Sequence, residues 1–292
     1  MRSFAVAIFA AVLAATGTGE TNGGVYTFEG LSEGDLLGQD NWEQYASQGT
    51  SWSVVEPGGG SNNTAVAEPG DNTHLLIRQN DSSFAFPTHS ASGTAAVMQF
   101  DFRYAEVSDE SHYYFGLGAD STDDADDKVS TVKERGPAIG MFDSDGSQEG
   151  FGIRLLAVNG TPIYSYGYGT DTDDGDWIRL RLVMDFTANG GDGEGLLYYK
   201  NLTDGDPGFT ALNPSTPQDL KLTEMNPGVS PSTWDTMVIV RSGESGAGDN
   251  QPQIDNLHPN VLRGPEPSAL VALCGLGLTC LGLCWRRRGR VV

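Results

Sequence analysis

In the stretch WIRLRLVMDF, Ile178, Leu180, Leu182, Met184 and Phe186 fall on one side of a period-two alternation. Trp177, Arg179, Arg181, Val183 and Asp185 fall on the other. Successive side chains of a strand point to opposite faces, so the segment predicts an antiparallel strand with one buried and one solvent face. AAVMQFDFRY repeats the design, with Ala96, Met98, Phe100, Phe102 and Tyr104 inward and Gln99, Asp101 and Arg103 outward. GIRLLAVNGTPIYSYGYG predicts a hairpin with Asn159-Gly160 as its two-residue turn. A second hairpin, around TANGGDGEG, joins Trp177–Phe186 to Gly195–Asn201. Further strands are predicted at Tyr26–Glu29, Trp52–Val55, His74–Arg78, Tyr113–Gly118, Ala138–Phe142, Thr236–Arg241 and Gln253–Leu257.

Between residues 25 and 262 no helical stripe exceeds two turns, and clusters of Gly, Asn, Asp and Pro separate the strands. The prediction is therefore an all-β, two-sheet antiparallel sandwich in one domain. The Pro-rich run NPSTPQDLKLTEMNPGVSPSTW is read as a long loop within it. The Trp177-x-Arg179-x-Arg181 strand with Asp185 and its Gly-rich hairpin resembles the concanavalin-like or laminin-G-like jelly rolls. VYTFEGL and IDNLHPNV look like the opening and closing strands of such exported bacterial domains. DSTDDADD, DSDGSQE and DTDDGD are oxygen-rich loops of the kind Ca²⁺ favours, and equally the composition of solvated turns. None has the ligand spacing of an EF-hand. The laminin-G-like resemblance implies a structural calcium at a sheet rim, with Asp143 and Asp145 as its candidates.

Composition changes the picture in two ways. The formal net charge is −22, and residues 25–264 alone hold 12 Lys and Arg against 37 Asp and Glu. A body this anionic excludes a nucleic-acid partner, because phosphate binding needs a basic face. The acidic surface attracts cations or simply keeps the chain soluble. All three cysteines, Cys274, Cys280 and Cys284, lie in the C-terminal apolar run, so the body folds without disulfides.

The two ends carry a different pattern. Arg2, the apolar run Phe4–Ala15 and the small-x-small triplet Ala15-Thr16-Gly17 predict a secretory signal peptide over residues 1–19. Residues 269–285 are uncharged and mostly Leu, Ala, Gly, Val and Cys. As a helix they would rise about 25 Å, a short span for a hydrocarbon core of about 30 Å. Trp285 falls at headgroup level, and Arg286, Arg287, Arg288 and Arg290 hold residues 286–292 in the cytoplasm with the body outside. Residues 263–268 link body to span. Pro265-Glu266-Pro267-Ser268, a single span and an arginine cluster together resemble the PEP-CTERM sorting signal of Gram-negative bacteria. Gly264 departs from that pattern, where Pro or a β-branched residue is common. The resemblance implies export, processing by the membrane protease exosortase and an association with extracellular polysaccharide. Read from the residues alone, the same segment is a permanent membrane anchor.

Catalytic constellations are not apparent. No Glu-x-Asp-x-Glu strand exists, Glu106, Asp109 and Glu110 divide between two faces, and the four histidines are scattered. GESGAG has Ala247 where a nucleophile elbow needs glycine, and no helix follows it. Aromatic residues offer more. Tyr164, Tyr166 and Tyr168 share one strand face, as a sugar-stacking platform or as core. Trp177 shares the solvent face with Arg179 and Arg181, a set suited to saccharide contact. The reading is an exported cell-surface or matrix protein with a polysaccharide-binding or structural body. A carbohydrate-active enzyme and a permanently anchored adhesin are the alternatives.

Overall fold

The computed structural model describes residues 26–45, 52–55, 64–67, 74–79, 81, 95–103, 112–121, 133–143, 151–167, 175–212, 216–242 and 253–260. The signal peptide, the sorting motif Pro265–Ser268, the apolar run and Arg286–Arg290 lie outside them. No helix among the described residues is long and apolar enough to cross a membrane.

Among the described residues, sixteen strands pair antiparallel in two sheets. They are β1 (Gly34–Asp35), β2 (Trp42–Tyr45), β3 (Trp52–Val55), β4 (Thr64–Ala67), β5 (His74–Gln79), β6 (Ala95–Arg103), β7 (His112–Gly118) and β8 (Arg135–Asp143). They continue as β9 (Phe151–Leu156), β10 (Pro162–Gly167), β11 (Trp177–Asp185), β12 (Glu194–Asn201), β13 (Thr210–Ala211), β14 (Gln218–Asp219), β15 (Thr236–Ser242) and β16 (Gln253–Asn260). One sheet runs β1-β3-β4-β16-β6-β11-β12-β13, with β14 also on β12; the other runs β10-β9-β8-β7-β15-β5-β2. The all-β sandwich expected from the alternation is thus present.

The sheets meet through the inner sides predicted for β6 and β11. Phe100, Phe102, Leu180, Leu182 and Met184 are buried in one core with Tyr113, Phe115, Ile139, Leu155 and Ile239 of the opposite sheet. Phe100 lies 5.6 Å from Phe115, ring centre to ring centre, and Phe102 lies 5.8 Å from Tyr113. Removing that apolar area from water drives closure of the sandwich.

Four sequence expectations change. Tyr26–Glu29 is a single bridge, Tyr26 to Leu257, followed by a turn rather than a strand. The Asn159-Gly160 hairpin exists, but its connection spans 157–161, because Val158 is drawn into the core and donates its N–H to Leu220. Gly160 still supplies the left-handed backbone, at φ 78°. The Pro-rich excursion is less loop-like than expected: Leu220, Leu222, Val229 and Trp234 from it are buried in the core. Finally, the second sheet buries apolar side chains on both faces. Its outer side buries Ile77, Tyr114, Ala138, Val238 and Val240, as the unbroken apolar run of β15 permits.

A polar network ties the N-terminal segment to β5. The guanidinium of Arg78, wholly buried, pairs with Asp40 at 3.1 Å and Asp81 at 3.5 Å and lies 5.0 Å from the Tyr26 ring centre. The Tyr26 hydroxyl donates to Asp40 and accepts from the Trp42 indole. Burial first, and the bond to Asp40 second, raise the Tyr26 pKa above its ordinary 10.0. An unfolded tyrosine ionises at that ordinary value while the folded one keeps its proton. Stability from this group is therefore complete below about pH 10 and is lost as pH rises towards the folded value. The melting temperature should fall above about pH 10, and Tyr26→Phe should reduce the steepness of that fall in alkaline thermal scans.

Candidate functional site

The outer face of the first sheet is built by register. Across β16, β6, β11 and β12, Asp255, Asp101, Arg179 and Lys200 stand in one row. The row beside it holds His258, Gln99, Arg181 and Tyr198. These are the residues that the alternation sends away from the core, and cross-strand neighbours on one face interact directly.

The face is not as wet as the alternation implied. Asp101 and Asp255 are each 2% exposed, and Gln99 is 5% exposed. Like charges directly opposite each other destabilise a strand pair. Here the repulsion is offset from two sides. Arg179 donates Nε to Asp101 Oδ1 at 2.5 Å and Nη2 to Oδ2 at 2.7 Å, a two-point ion pair. Asn256 donates its side-chain amide to Asp101 Oδ2 at 2.9 Å and to Asp255 Oδ2 at 3.1 Å, bridging the two acids.

Asn256 reaches both because β16 carries a bulge. Asp255 opposes Asp101 and His258 opposes Gln99, so β16 holds one residue more than β6 over this interval. Asn256 takes a left-handed φ of 49°, which asparagine tolerates better than most residues, and Leu257 turns into the core.

Trp177 closes the other side. Its N–H donates to Thr203 Oγ1 and its carbonyl accepts from Leu202. The loop beyond Asn201 is locked by that residue: its side-chain oxygen accepts from the N–H groups of Thr203 and Asp204, and its amide donates to Asp176 and Asp204. Before Trp177, Arg103 donates to the Gly175 carbonyl. Gly175 has φ 96°, and a Cβ there would lie 3.3 Å from the Arg103 guanidinium, so the position calls for glycine. Together Trp177, Asp101, Leu202, Thr203, Asp255 and Asn256 line a cleft of about 270 Å³. A tryptophan in a lining with carboxylates, an amide and a hydroxyl is suited to a ligand with an apolar ring face and a polar edge.

The predicted site residues separate accordingly. Trp177 is half-buried and is among the residues that line the cleft. Arg179 and Arg181 lie on the same face, but their role changes: Arg179 is committed to Asp101, and Arg181 donates twice to Gln99 and lies 3.8 Å from the Phe209 ring centre. Pairing within the sheet therefore uses part of the donor set that the alternation had offered to a ligand. Tyr164 and Tyr166 belong to β10, their side chains outside the described set, and Tyr168 lies outside it altogether. Asp143 ends β8 and Asp145 is outside the described residues. Among the described residues no three His, Cys, Asp or Glu side chains group as metal ligands. Asp255, Asn256 and Thr203 escaped the alternation. For Asp255 and Asn256 the one signal was the spacing of Ile254 and Leu257, three rather than two apart, which marks the bulge.

A second cavity, of about 200 Å³, lies on the outer side of the other sheet, lined by Tyr114, Arg135, Ala138, Leu156, Val238 and Val240. Burial lowers the pKa of Arg135 to about 10, against the opposing pull of Glu134.

No family model matches the sequence, and no curated protein matches it. Among solved structures, lectin II from Ulex europaeus is similar at 9% identity over 80% of this chain and 96% of its own, with a TM-score of 0.46. The carbohydrate recognition domain of Emp46p in its potassium-bound form follows at 16% identity, 81% and 100% coverage and a TM-score of 0.40. A carbohydrate esterase of the Shiga toxin-encoding bacteriophage phi24B has 13% identity, 80% and 97% coverage and a TM-score of 0.35. None of these superpositions is close enough for ligand or reaction to be carried over.

Removing Arg179 leaves a buried carboxylate without its cation. Arg179→Met should destabilise the body by about 3 kcal/mol in urea unfolding. The double change Arg179→Met with Asp101→Leu should recover most of that loss, which a double-mutant cycle measures.

Proposed function

We propose that the body is a saccharide-binding module and that its contact is the cleft at Trp177. The observation that carries this reading is that Trp177 lines one open cleft together with Asp101, Asn256 and Thr203. Sugar rings combine an apolar face with a hydroxyl edge, and that pairing suits them. Affinity electrophoresis through gels containing soluble polysaccharides tests it. The intact body should be retarded by at least one polymer, and Trp177→Ala should weaken that retardation about tenfold, equivalent to ~1.4 kcal/mol. Equal retardation of a folded Trp177→Ala variant would remove the residue from the contact.

A second reading has one observation in its favour. Asp101 and Asp255 converge in the cleft, bridged by a single amide, and glycoside hydrolysis uses two carboxylates. Against it, Arg179 and Asn256 already occupy three acceptor positions of Asp101, which suits a fixed binding wall better than a nucleophile. Reducing-end release from the retarding polymer, abolished by Asp255→Asn, would turn the reading towards catalysis.

For the whole chain, we propose an exported protein delivered by residues 1–19, held by 269–285 and processed at Pro265–Ser268 by an exosortase-type protease. Support comes from the joint occurrence of the proline motif, the apolar run and the four arginines behind it. Intact-mass analysis of the mature protein should find the chain ending near Pro267. Retention of Arg286–Arg290 would favour a permanent anchor instead.

A further inference from the structure

Beyond the cleft, the outer face of the first sheet carries a further aromatic ring, and a single connection frames both. The segment between β12 and β13, residues 202–209, begins at the cleft, where Leu202 and Thr203 belong to the lining. It ends at Phe209, whose ring centre lies 3.8 Å from the guanidinium carbon of Arg181. Pairing of Thr210 with Tyr199 and of Ala211 with Tyr198 sets β13 along the edge of β12. From that edge Phe209 reaches back across β12 to lie against Arg181 on β11. It is half-buried between exposed Gly208 and Thr210, so the residue keeps accessible surface.

Neither aromatic is loosely placed. Trp177 is tied through its backbone to Thr203 and Leu202. Asn201, 3% exposed, fixes the connection: its backbone N–H donates to Asp206 Oδ2, and its carbonyl accepts from the Asp206 N–H. Arg181 donates Nε and Nη2 to Gln99, so the cation against Phe209 is itself held by the sheet. A guanidinium over the face of a ring attracts it and sets its place. Groups ordered before a ligand arrives lose less freedom when it binds.

Trp177 and Arg181 stand on the same face of β11, four residues apart, which puts about 13 Å between them along the strand. The row of Asp101, Arg179 and Lys200 crosses the interval. A single sugar ring is shorter than this interval. A chain of several rings covers it, with an apolar ring face at each end and hydroxyls over the charged row between.

We propose that this face binds a run of several sugar units within a polysaccharide chain, with Trp177 and Phe209 as its two stacking contacts. The proposal rests on the saccharide-binding reading above and adds Phe209 to it. Once Trp177 is engaged, the Phe209 contact is intramolecular, so it strengthens binding only of chains long enough to reach it.

Affinity electrophoresis of the intact protein through hydroxyethylcellulose, arabinoxylan and laminarin tests this, with cello-, xylo- and laminari-oligosaccharides as the matching competitors. For a polymer that retards the protein, the hexasaccharide should compete about tenfold better than the monosaccharide or disaccharide. Phe209→Ala should weaken retardation by the polymer about tenfold and flatten the dependence on chain length, leaving competition by the short sugars as in the wild type. Phe209→Leu keeps apolar bulk but no flat ring, and it should act alike if Phe209→Ala melts below the assay temperature. A monosaccharide that competes as well as the hexasaccharide overturns the extended contact and leaves saccharide binding intact. Unchanged retardation and length dependence in a folded Phe209 variant also overturn it. Retardation of the wild type by none of the polymers, with a cooperative melting transition, overturns the saccharide-binding reading and this proposal with it.

Discussion

The nine-residue register of β11 against β6 is the constraint on which the rest depends. It runs without a break from Trp177 opposite Arg103 to Asp185 opposite Ala95. Because side chains alternate with a period of two, this register sends Phe100 and Leu180 inward and Asp101 and Arg179 outward. A slip of one residue would exchange the faces, exposing the aromatic core and burying two arginines and an aspartate without partners. The energetic penalty on both sides makes the register unique.

From that register the cleft follows with little freedom. Asp101 stands beside Arg179 because their strands are locked, and beside Asp255 because β16 pairs on its other edge. Two buried acids side by side are costly unless a cation and hydrogen bonds offset them. Arg179 supplies the first, and the bulge supplies the second by aiming Asn256 across both carboxylates. The site is therefore rigid from the sheet outwards, and its loop wall is held by Asn201 and the Arg103–Gly175 contact rather than by contact with a ligand.

The two sheets divide the work. The first carries a polar outer face on which charge, amide and indole can meet. The second buries an apolar cluster that includes Val238 and Ile77 on its outer side, beside which Arg154 donates to the Tyr114 hydroxyl. The N-terminal segment is fastened to this second sheet by the buried Arg78 and its aspartates, a network that satisfies every charge it buries. Arg179 and Asp255 thus lie on the side of the first sheet away from the core interface.

Alternation alone determined the longer strands, the two faces of β6 and β11, and the placement of Trp177 and Arg179 on one side. Those are local properties, written in a period that needs no knowledge of neighbours. Tertiary pairing decided what the faces could do. Arg179 and Arg181 read as available donors until β6 placed Asp101 and Gln99 against them. Asp255 and Asn256, some 150 residues from Asp101 in the chain, entered the site only when β16 was laid beside β6. The short strands β1, β2, β4, β13 and β14 were not predicted: so few residues carry little pattern, and pairing with a partner strand decides them. Hydrophobic periodicity is encoded residue by residue, whereas hydrogen-bond partners and charge neighbours are chosen by the strands that arrive alongside.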